Sequence, residues 1–358
     1  MRRSLTVGRS TITDDSDCYV IAEIGHNHQG DLDKALTLIK AAAECGADAV
    51  KFQKRDNKSL YVRSMYDKPY ENENSYGATY GEHREALEFG WAEYAEMMKF
   101  AKELGVDCFA TAFDVTSADF LRDFDVPAYK IASGDLKNLP LLKYVAKNGK
   151  PMIISTGGAT MPDVQRAYDA IMPINKQLCI LQCTAAYPAE AEDLNLRVIA
   201  TLRNTFPGVT VGLSDHYNGI SMAVVAYVLG ARVIEKHFTL NHTWKGTDQA
   251  FSLEPAGFRK MVRDLRRTRV SLGDGTKAPL AKEANALVKM GKSLVADRNI
   301  EAGHCLTEAD IGIKSPGGGL PPYEIDNLIG KRVLRALFAD ELFTLEHVAE
   351  ASHVSRSA

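Results

Sequence analysis

Two histidines and two lysines of this chain fall where short runs of β-branched residues end, and that placement decides what chemistry is open to them. The run 210–216, TVGLSDH, ends on Ser214, Asp215 and His216, and the run 231–238, ARVIEKHF, carries Glu235 and His237. Side chains along a strand alternate between faces, so Glu235 and His237 share one face while Lys236 points the other way. Histidines at the ends of neighbouring strands can converge on one divalent cation, with oxygen ligands or water completing the shell; two satisfied polar histidines on a strand rim are the plainer alternative. Lys51 and Gln53 also lie two apart and share a face. An inward lysine in an apolar layer costs desolvation unless an anion or a carboxylate meets it. Lys51 and Lys130, with the hydroxyls of Thr111, Ser133, Ser155 and Ser214, make a set suited to a small phosphorylated carboxylate, because oxygen-rich anions are held by charge together with fixed donors. Structural ion pairs with Glu23 and Glu235 are the competing use of the same lysines.

The elements that would position these groups repeat from residue 18 onward: a short β-branched run, a polar loop, then an amphipathic helix. Strands are expected at 19–23, 49–53, 106–111, 128–132, 152–155, 179–183, 210–214 and 233–237. Helices are expected at 33–45, 91–104, 117–124, 139–147, 162–171, 194–205, 220–229 and 255–272. Asp31 precedes the first helix, Pro162 sits in a first turn, and Gly46, Gly105, Gly149 and Gly230 close four helices. Eight alternating β–α units predict an α/β fold, a TIM (β/α)8 barrel, with the polar residues at the C-terminal mouth where such barrels carry their sites. The stretch 54–90 is long for a βα-loop and would stand over that mouth. The domains expected are a barrel over 1–275, a Gly- and Lys-rich linker over 276–290 and a small β-rich unit over 291–350, whose Pro316–Pro322 loop of glycines and prolines excludes helix and central strand.

With 358 residues and 45% hydrophobic content the chain has ample material for such a core. A net charge of −3 and the lack of a Lys/Arg block argue against a nucleic-acid partner, and no apolar run approaches a membrane span. The first 18 residues have no apolar stretch of the signal-peptide kind. Six cysteines, at 18, 45, 108, 179, 183 and 305, form no C-x-x-C pair and are expected as buried small hydrophobes of a reducing, cytoplasmic protein.

The order of these strand ends resembles one family over nearly the whole chain, the sialic acid synthases. IAEIGHNHQGDLDKA (21–35), VKFQ (50–53), AYKIASGD (128–135), ISTGG (154–158), QCTAAYP (182–188), GLSDH (212–216) and EKHFTL (235–240) look like the family's successive strand ends, and the C-terminal unit looks like its SAF, or antifreeze-like, domain. TYGEHREALEF (79–89) and HTWKGTDQAFSLEP (242–255) look more like the branch acting on N-acetylmannosamine 6-phosphate than the branch using the free sugar. The resemblance implies condensation of phosphoenolpyruvate with an N-acylmannosamine-type aldehyde, with attack by the enolpyruvate carbon, addition of water and loss of phosphate by C–O cleavage. It implies manganese or magnesium held by His216 and His237. It assigns Lys51, Thr111, Lys130, Ser133, Ser155 and Ser214 to phosphoenolpyruvate, and Glu23, Gln53, Tyr187, Asp248 and Asn74 to the sugar side and metal-bound water. It implies head-to-tail homodimers in which each SAF domain covers the partner's barrel.

Two positions depart from the free-sugar pattern. Ala185 stands where those enzymes have an Asn after the C-T of the sixth strand end, and Lys314 and Ser315 precede Pro316 where they have an Arg. A phosphorylated or non-acetamido sugar, such as mannose or another hexose derivative, therefore stays open. Two other readings remain: a Schiff-base aldolase using Lys51 or Lys130, and a non-catalytic scaffold.

Overall fold

Long apolar runs buried on both faces are the mark of strands covered by helices, and the central strands of this chain are of that kind. The computed structural model describes residues 3–349; residues 1–2 and 350, at the ends of the two expected domains, lie outside the described residues. The chain divides into two compact units, Met1–Gly273 and Asp274–Ala358. In the first, a hairpin of β1 (Ser4–Val7) and β2 (Ser10–Thr13) precedes eight parallel strands: β3 (Tyr19–Gly25), β4 (Ala49–Lys54), β5 (Asp107–Ala112), β6 (Tyr129–Ile131), β7 (Met152–Ser155), β8 (Leu178–Cys183), β9 (Thr210–Asp215) and β10 (Val233–His237). They pair in sequence order and close, β10 on β3, into a TIM barrel. Every residue of β3 and β8 is buried, as is every residue of β9 and β10.

Register brings the polar strand ends together. Glu23 lies beside Lys51, Gln53 beside Thr111, and Thr111 beside Lys130. Across the closure His237 lies beside Glu23, and Ser214 of β9 neighbours both Glu235 of β10 and Cys183 of β8. The pleat sends Lys236 outward, where its ammonium meets Asp215 at 2.8 Å, both side chains fully buried between barrel and helices.

The helices start and stop for local reasons. Asp31 accepts a hydrogen bond from Lys34 N at 3.1 Å and opens the helix Leu32–Glu44. Thr160 and Asp163 form a capping box on Met161–Ile171, with Pro162 in its first turn. Gly105 takes φ 75° and ends Trp91–Leu104. The helix expected over 194–205 begins only at Val198, because Asn195 adopts φ 41° and breaks the turn. The β1–β2 hairpin is an element the sequence reading lacks. The insertion 54–90 is built rather than loose: it holds the short helices Asn57–Leu60, Arg63–Tyr66 and Tyr80–Glu85, and Tyr70 packs on Tyr80 and His83 with ring centroids 5.4 and 4.7 Å apart.

The second unit pairs β11 (Ser293–Ala296) antiparallel with β12 (Ile311–Lys314) around its own small core, including Leu294, Ile300, Leu306, Leu328 and Phe343. Buried Asp310 accepts from Arg298 Nε at 2.8 Å and Thr307 N at 2.8 Å and ties its turns together. Cys305 in this unit is exposed, contrary to the expectation for all six cysteines; it lies in a surface β-bridge with Arg332, where its thiol donates to the Gly330 carbonyl at 3.2 Å, whereas the other five are buried.

Candidate active site

The floor of the barrel mouth is a buried quartet of two ammonium and two carboxylate groups. Lys51 Nζ lies 2.6 Å from Glu23 Oε2 and 3.7 Å from Glu235 Oε2, and donates to Thr111 Oγ1 at 2.8 Å. Lys130 Nζ lies 3.8 Å from Glu235 Oε1 and donates to Ser155 Oγ at 2.6 Å and to the Ile131 carbonyl at 2.9 Å. Ser214 Oγ donates to Glu235 Oε1 at 3.0 Å. The ion pairs weighed as an alternative to an anion cradle are thus present, and they share their lysines with the hydroxyls of that cradle. Burial pushes the Glu23 carboxyl up and the Lys130 ammonium down. For Glu235 burial acts in the same upward sense, but Lys130 and Lys51 outweigh it and hold the carboxyl at about 2. One glutamate is thereby kept ionised while its neighbour is moved toward carrying a proton, the pattern of paired acid and base groups.

Beside the floor stand the two histidines, His216 just past β9 and His237 at the end of β10, with ring centroids 5.4 Å apart. His216 Nδ1 faces the Thr184 carbonyl at 2.7 Å and must donate to it, which leaves the Nε2 lone pair free. Burial lowers both imidazoles to about 4, so both are neutral near pH 7. His237 Nδ1 is buried with no hydrogen-bond partner, the nearest carboxylate oxygen being Asp248 Oδ2 at 3.9 Å. Neutral imidazoles with an unpartnered nitrogen fit a divalent cation. No group of three or more His, Cys, Asp or Glu among the described residues is arranged to hold one, so the protein's own share is two nitrogens, with oxygen from water or substrate to complete the shell. Tyr187 packs on His216 at 4.2 Å and Phe251 on His237 at 4.9 Å between ring centroids, which fixes both rings.

The wall beyond Glu23 is a chain of polar contacts. Gln53 Nε2 donates to Glu23 Oε1 at 2.8 Å, and Arg55 Nη2 donates to Gln53 Oε1 at 2.6 Å. Gly25 is required here: at φ 54° a Cβ would lie 3.1 Å from Glu23 Oε1, 3.2 Å from Gln53 Nε2 and 3.5 Å from Asp248 Oδ2. On the opposite side Gly157 N donates to Ser133 Oγ at 2.9 Å, and a Cβ at Gly157 would meet Ala185 Cβ and Ser133 Oγ at 2.8 Å. The small Ala185 therefore faces the hydroxyl side of the mouth.

These groups line one cavity of about 570 Å³. Among the sequence candidates, Glu23, Lys51, Gln53, Thr111, Lys130, Ser133, Ser155, Tyr187, Ser214, His216, His237 and Asp248 all border it. Asn74 does not: its Oδ1 accepts from Gly246 N at 2.9 Å and so steadies the loop that carries Asp248. His26, Arg55 and Arg84 also border the cavity and were not among the candidates. His26 and Arg55 lie in loops and Arg84 in a short helix of the insertion, with no periodicity to mark them; the one signal is the Lys54–Arg55 pair at the end of β4.

A closed barrel with this polar mouth defines a TIM-barrel chain with a small-molecule site at the strands' C-terminal ends, and comparison with known proteins carries it further. The model of the NeuB family matches residues 38–277, and that of the SAF domain residues 291–349. N-acetylneuraminate-9-phosphate synthase of Homo sapiens is 43% identical over 332 residues, 92% of each chain. N,N'-diacetyllegionaminic acid synthase of Legionella pneumophila is 35% identical over 92% of this chain and 94% of that one. The crystal structure of N-acetylneuraminic acid (sialic acid) synthetase from Leptospira borgpetersenii superposes with TM-score 0.70 at 31% identity, covering 80% of this chain and 95% of that one. The chain belongs to the NeuB family, the sialic acid synthases, with a C-terminal SAF domain.

Proposed function

We propose that this chain condenses phosphoenolpyruvate with an N-acetylmannosamine-type sugar, free or 6-phosphorylated, to a nine-carbon 2-keto acid and phosphate. The observation that carries this reading is the single cavity in which a lysine–glutamate floor, ringed by hydroxyls, adjoins two neutral buried histidines. Relatives named for the synthesis of N-acetylneuraminate 9-phosphate and of N,N'-diacetyllegionaminic acid support it.

Lys51 and Lys130, with Thr111, Ser133, Ser155 and Ser214, hold the phosphoenolpyruvate; its anionic groups compete with Glu23 and Glu235 for the ammonium groups, which act as charge partners and not as nucleophiles. Glu23, Gln53, Tyr187 and Asp248 face the sugar, and Asn74 orients the Asp248 loop. His216 and His237 would hold manganese or magnesium, which when bound polarises the aldehyde oxygen as a Lewis acid. The new bond forms between the enolpyruvate C3 and the aldehyde carbon, whose oxygen takes up a proton. Water then adds to the cationic C2, and phosphate leaves by cleavage of the C–O bond. Glu23, its carboxyl raised by burial, is the group placed to exchange those protons, while Glu235 stays ionised beside Lys130 and Lys51 and stabilises the cationic C2. A reducing, cytoplasmic setting and a head-to-tail homodimer complete the proposal. Five buried free cysteines and the exposed Tyr323, Leu334 and Phe338 of the second unit support them.

The test is phosphate release from phosphoenolpyruvate and manganese with free and 6-phosphorylated mannose and N-acetylmannosamine, the products weighed by mass spectrometry. A nine-carbon keto acid in step with phosphate is expected. Condensation of pyruvate in place of phosphoenolpyruvate would contradict the assignment.

A further inference from the structure

The charges of the cavity do not balance evenly. On the floor Lys51 and Lys130 are matched by Glu23 and Glu235. At the wall above stand Arg55 and Arg84; Glu88, outside the cavity lining, lies 3.8 Å from Arg55 and is shared with Lys54 at 3.1 Å. Among the described residues no carboxylate stands within ion-pair distance of Arg84; its guanidinium donates to Tyr80 Oη at 2.9 and 3.0 Å, and Asp248 acts on it only from farther off. Buried Arg55 is stacked on Phe113, its Cζ 3.7 Å from the ring centroid, and its Nε has no hydrogen-bond partner.

Between the two guanidinium groups lies buried His26. Its Nε2 is 3.1 Å from Arg55 Nη1 and its Nδ1 is 3.3 Å from Arg84 Nη1. Guanidinium groups only donate, and a neutral imidazole has one accepting nitrogen, so one of these two contacts sets donor against donor. An oxygen acceptor seated between them removes that conflict, and a dianionic phosphoryl group with several oxygens satisfies both arginines and the imidazole N–H together.

We infer that Arg55 and Arg84, oriented about His26, form the seat for the phosphoryl group of a 6-phosphorylated acceptor sugar. The inference rests on the proposed reaction for the acceptor's other end. Arg55 is reached from Glu23 through Gln53, so the seat lies one side chain beyond these sugar-facing groups. An acceptor whose aldehyde approaches the histidines presents its far carbon to this wall. The phosphate of phosphoenolpyruvate belongs to the separate lysine and hydroxyl set.

The experiment compares full-length wild type with Arg84→Met, Arg84→Lys and Arg55→Met. Binding of N-acetylmannosamine 6-phosphate, free N-acetylmannosamine and inorganic phosphate is measured by calorimetry with manganese and without phosphoenolpyruvate, alongside KM values for both substrates. Wild type is expected to bind the 6-phosphate at least tenfold tighter than the free sugar. Arg84→Met and Arg55→Met are expected to cut that ratio by tenfold or more, Arg84→Lys by less, with the KM for the 6-phosphate rising far more than that for phosphoenolpyruvate. Equal affinity of wild type for the two sugars overturns the seat. So does an equal loss on both sugars in an Arg84→Met variant whose unfolding midpoint matches wild type, or a larger rise in the KM for phosphoenolpyruvate. Absence of turnover with every sugar sinks the proposed reaction instead, and the binding ratio still decides the arginines.

Discussion

Lys51 Nζ lies 2.6 Å from Glu23 Oε2, and both side chains are almost wholly buried. Removing one partner of such a pair leaves an uncompensated charge, at a cost of about 3–5 kcal/mol, whereas removing both costs far less. Lys51→Met is therefore expected to lower the urea midpoint strongly, and Lys51→Met with Glu23→Gln to recover much of the loss. A double-mutant cycle by equilibrium unfolding checks this; strict additivity would show that the pair is not coupled. In kinetics Lys51→Ala is expected to raise the KM for phosphoenolpyruvate far more than that for the sugar.

The same pairing separates the proposed chemistry from a Schiff-base aldolase. Both lysines are engaged by carboxylates and hydroxyls, which suits charge compensation. Borohydride treatment with the sugar or with pyruvate is expected to leave no mass adduct on Lys51 or Lys130. A trapped adduct on either lysine would replace the synthase by the aldolase.

Asn74 is expected to act through Gly246 rather than on the substrate directly, given its 2.9 Å bond to that amide. Loss of one such hydrogen bond is worth about 1 kcal/mol, so Asn74→Ala should raise the sugar KM by roughly fivefold, with a smaller change for phosphoenolpyruvate. Steady-state kinetics on both substrates decides it; a loss confined to phosphoenolpyruvate would place Asn74 elsewhere in the mechanism.

A pH effect on stability is expected from His28, which lies away from the paired histidines. It is buried against Phe89, with ring centroids 4.2 Å apart, and its Nδ1 accepts from Gly30 N at 3.1 Å. Burial lowers its pKa to about 3, against 6.5 when unfolded. Between those values the unfolded chain binds the extra proton. The stabilising contribution is thus complete above pH 6.5 and declines as pH falls toward 3, by about 1.4 kcal/mol per pH unit at its steepest. His28→Gln should remove about one proton from the pH slope of unfolding between pH 6 and 4, read from urea midpoints. An unchanged slope would assign the effect to the other buried histidines.

Much of this site was legible because a parallel barrel makes its strands apolar throughout and leaves polar residues only at the mouth. Glu23, Lys51, Lys130, Ser214 and His237 each interrupt or end such a run, and register then sets Glu23 between Lys51 and His237, Lys130 beside Thr111 and Ser214 beside Glu235. The arginine wall was not legible. Arg84 lies in a helix of the long insertion, His26 in a loop after β3, and only folding brings them to Arg55. Nor was the β1–β2 hairpin legible, because two four-residue strands give too short an alternation. Asn195 looked like helix for a related reason, since nothing in its neighbours signals a left-handed turn.

The central claim is that two neutral histidines in one cavity with the lysine floor make turnover depend on a divalent cation. Phosphate release from phosphoenolpyruvate and the acceptor sugar should be measured for wild type and His237→Ala, before and after chelation and across a manganese titration. Wild type should fall to background in chelator and recover with manganese, while His237→Ala stays near background throughout. Full release by wild type in metal-free buffer, or wild-type release by His237→Ala, would contradict the account.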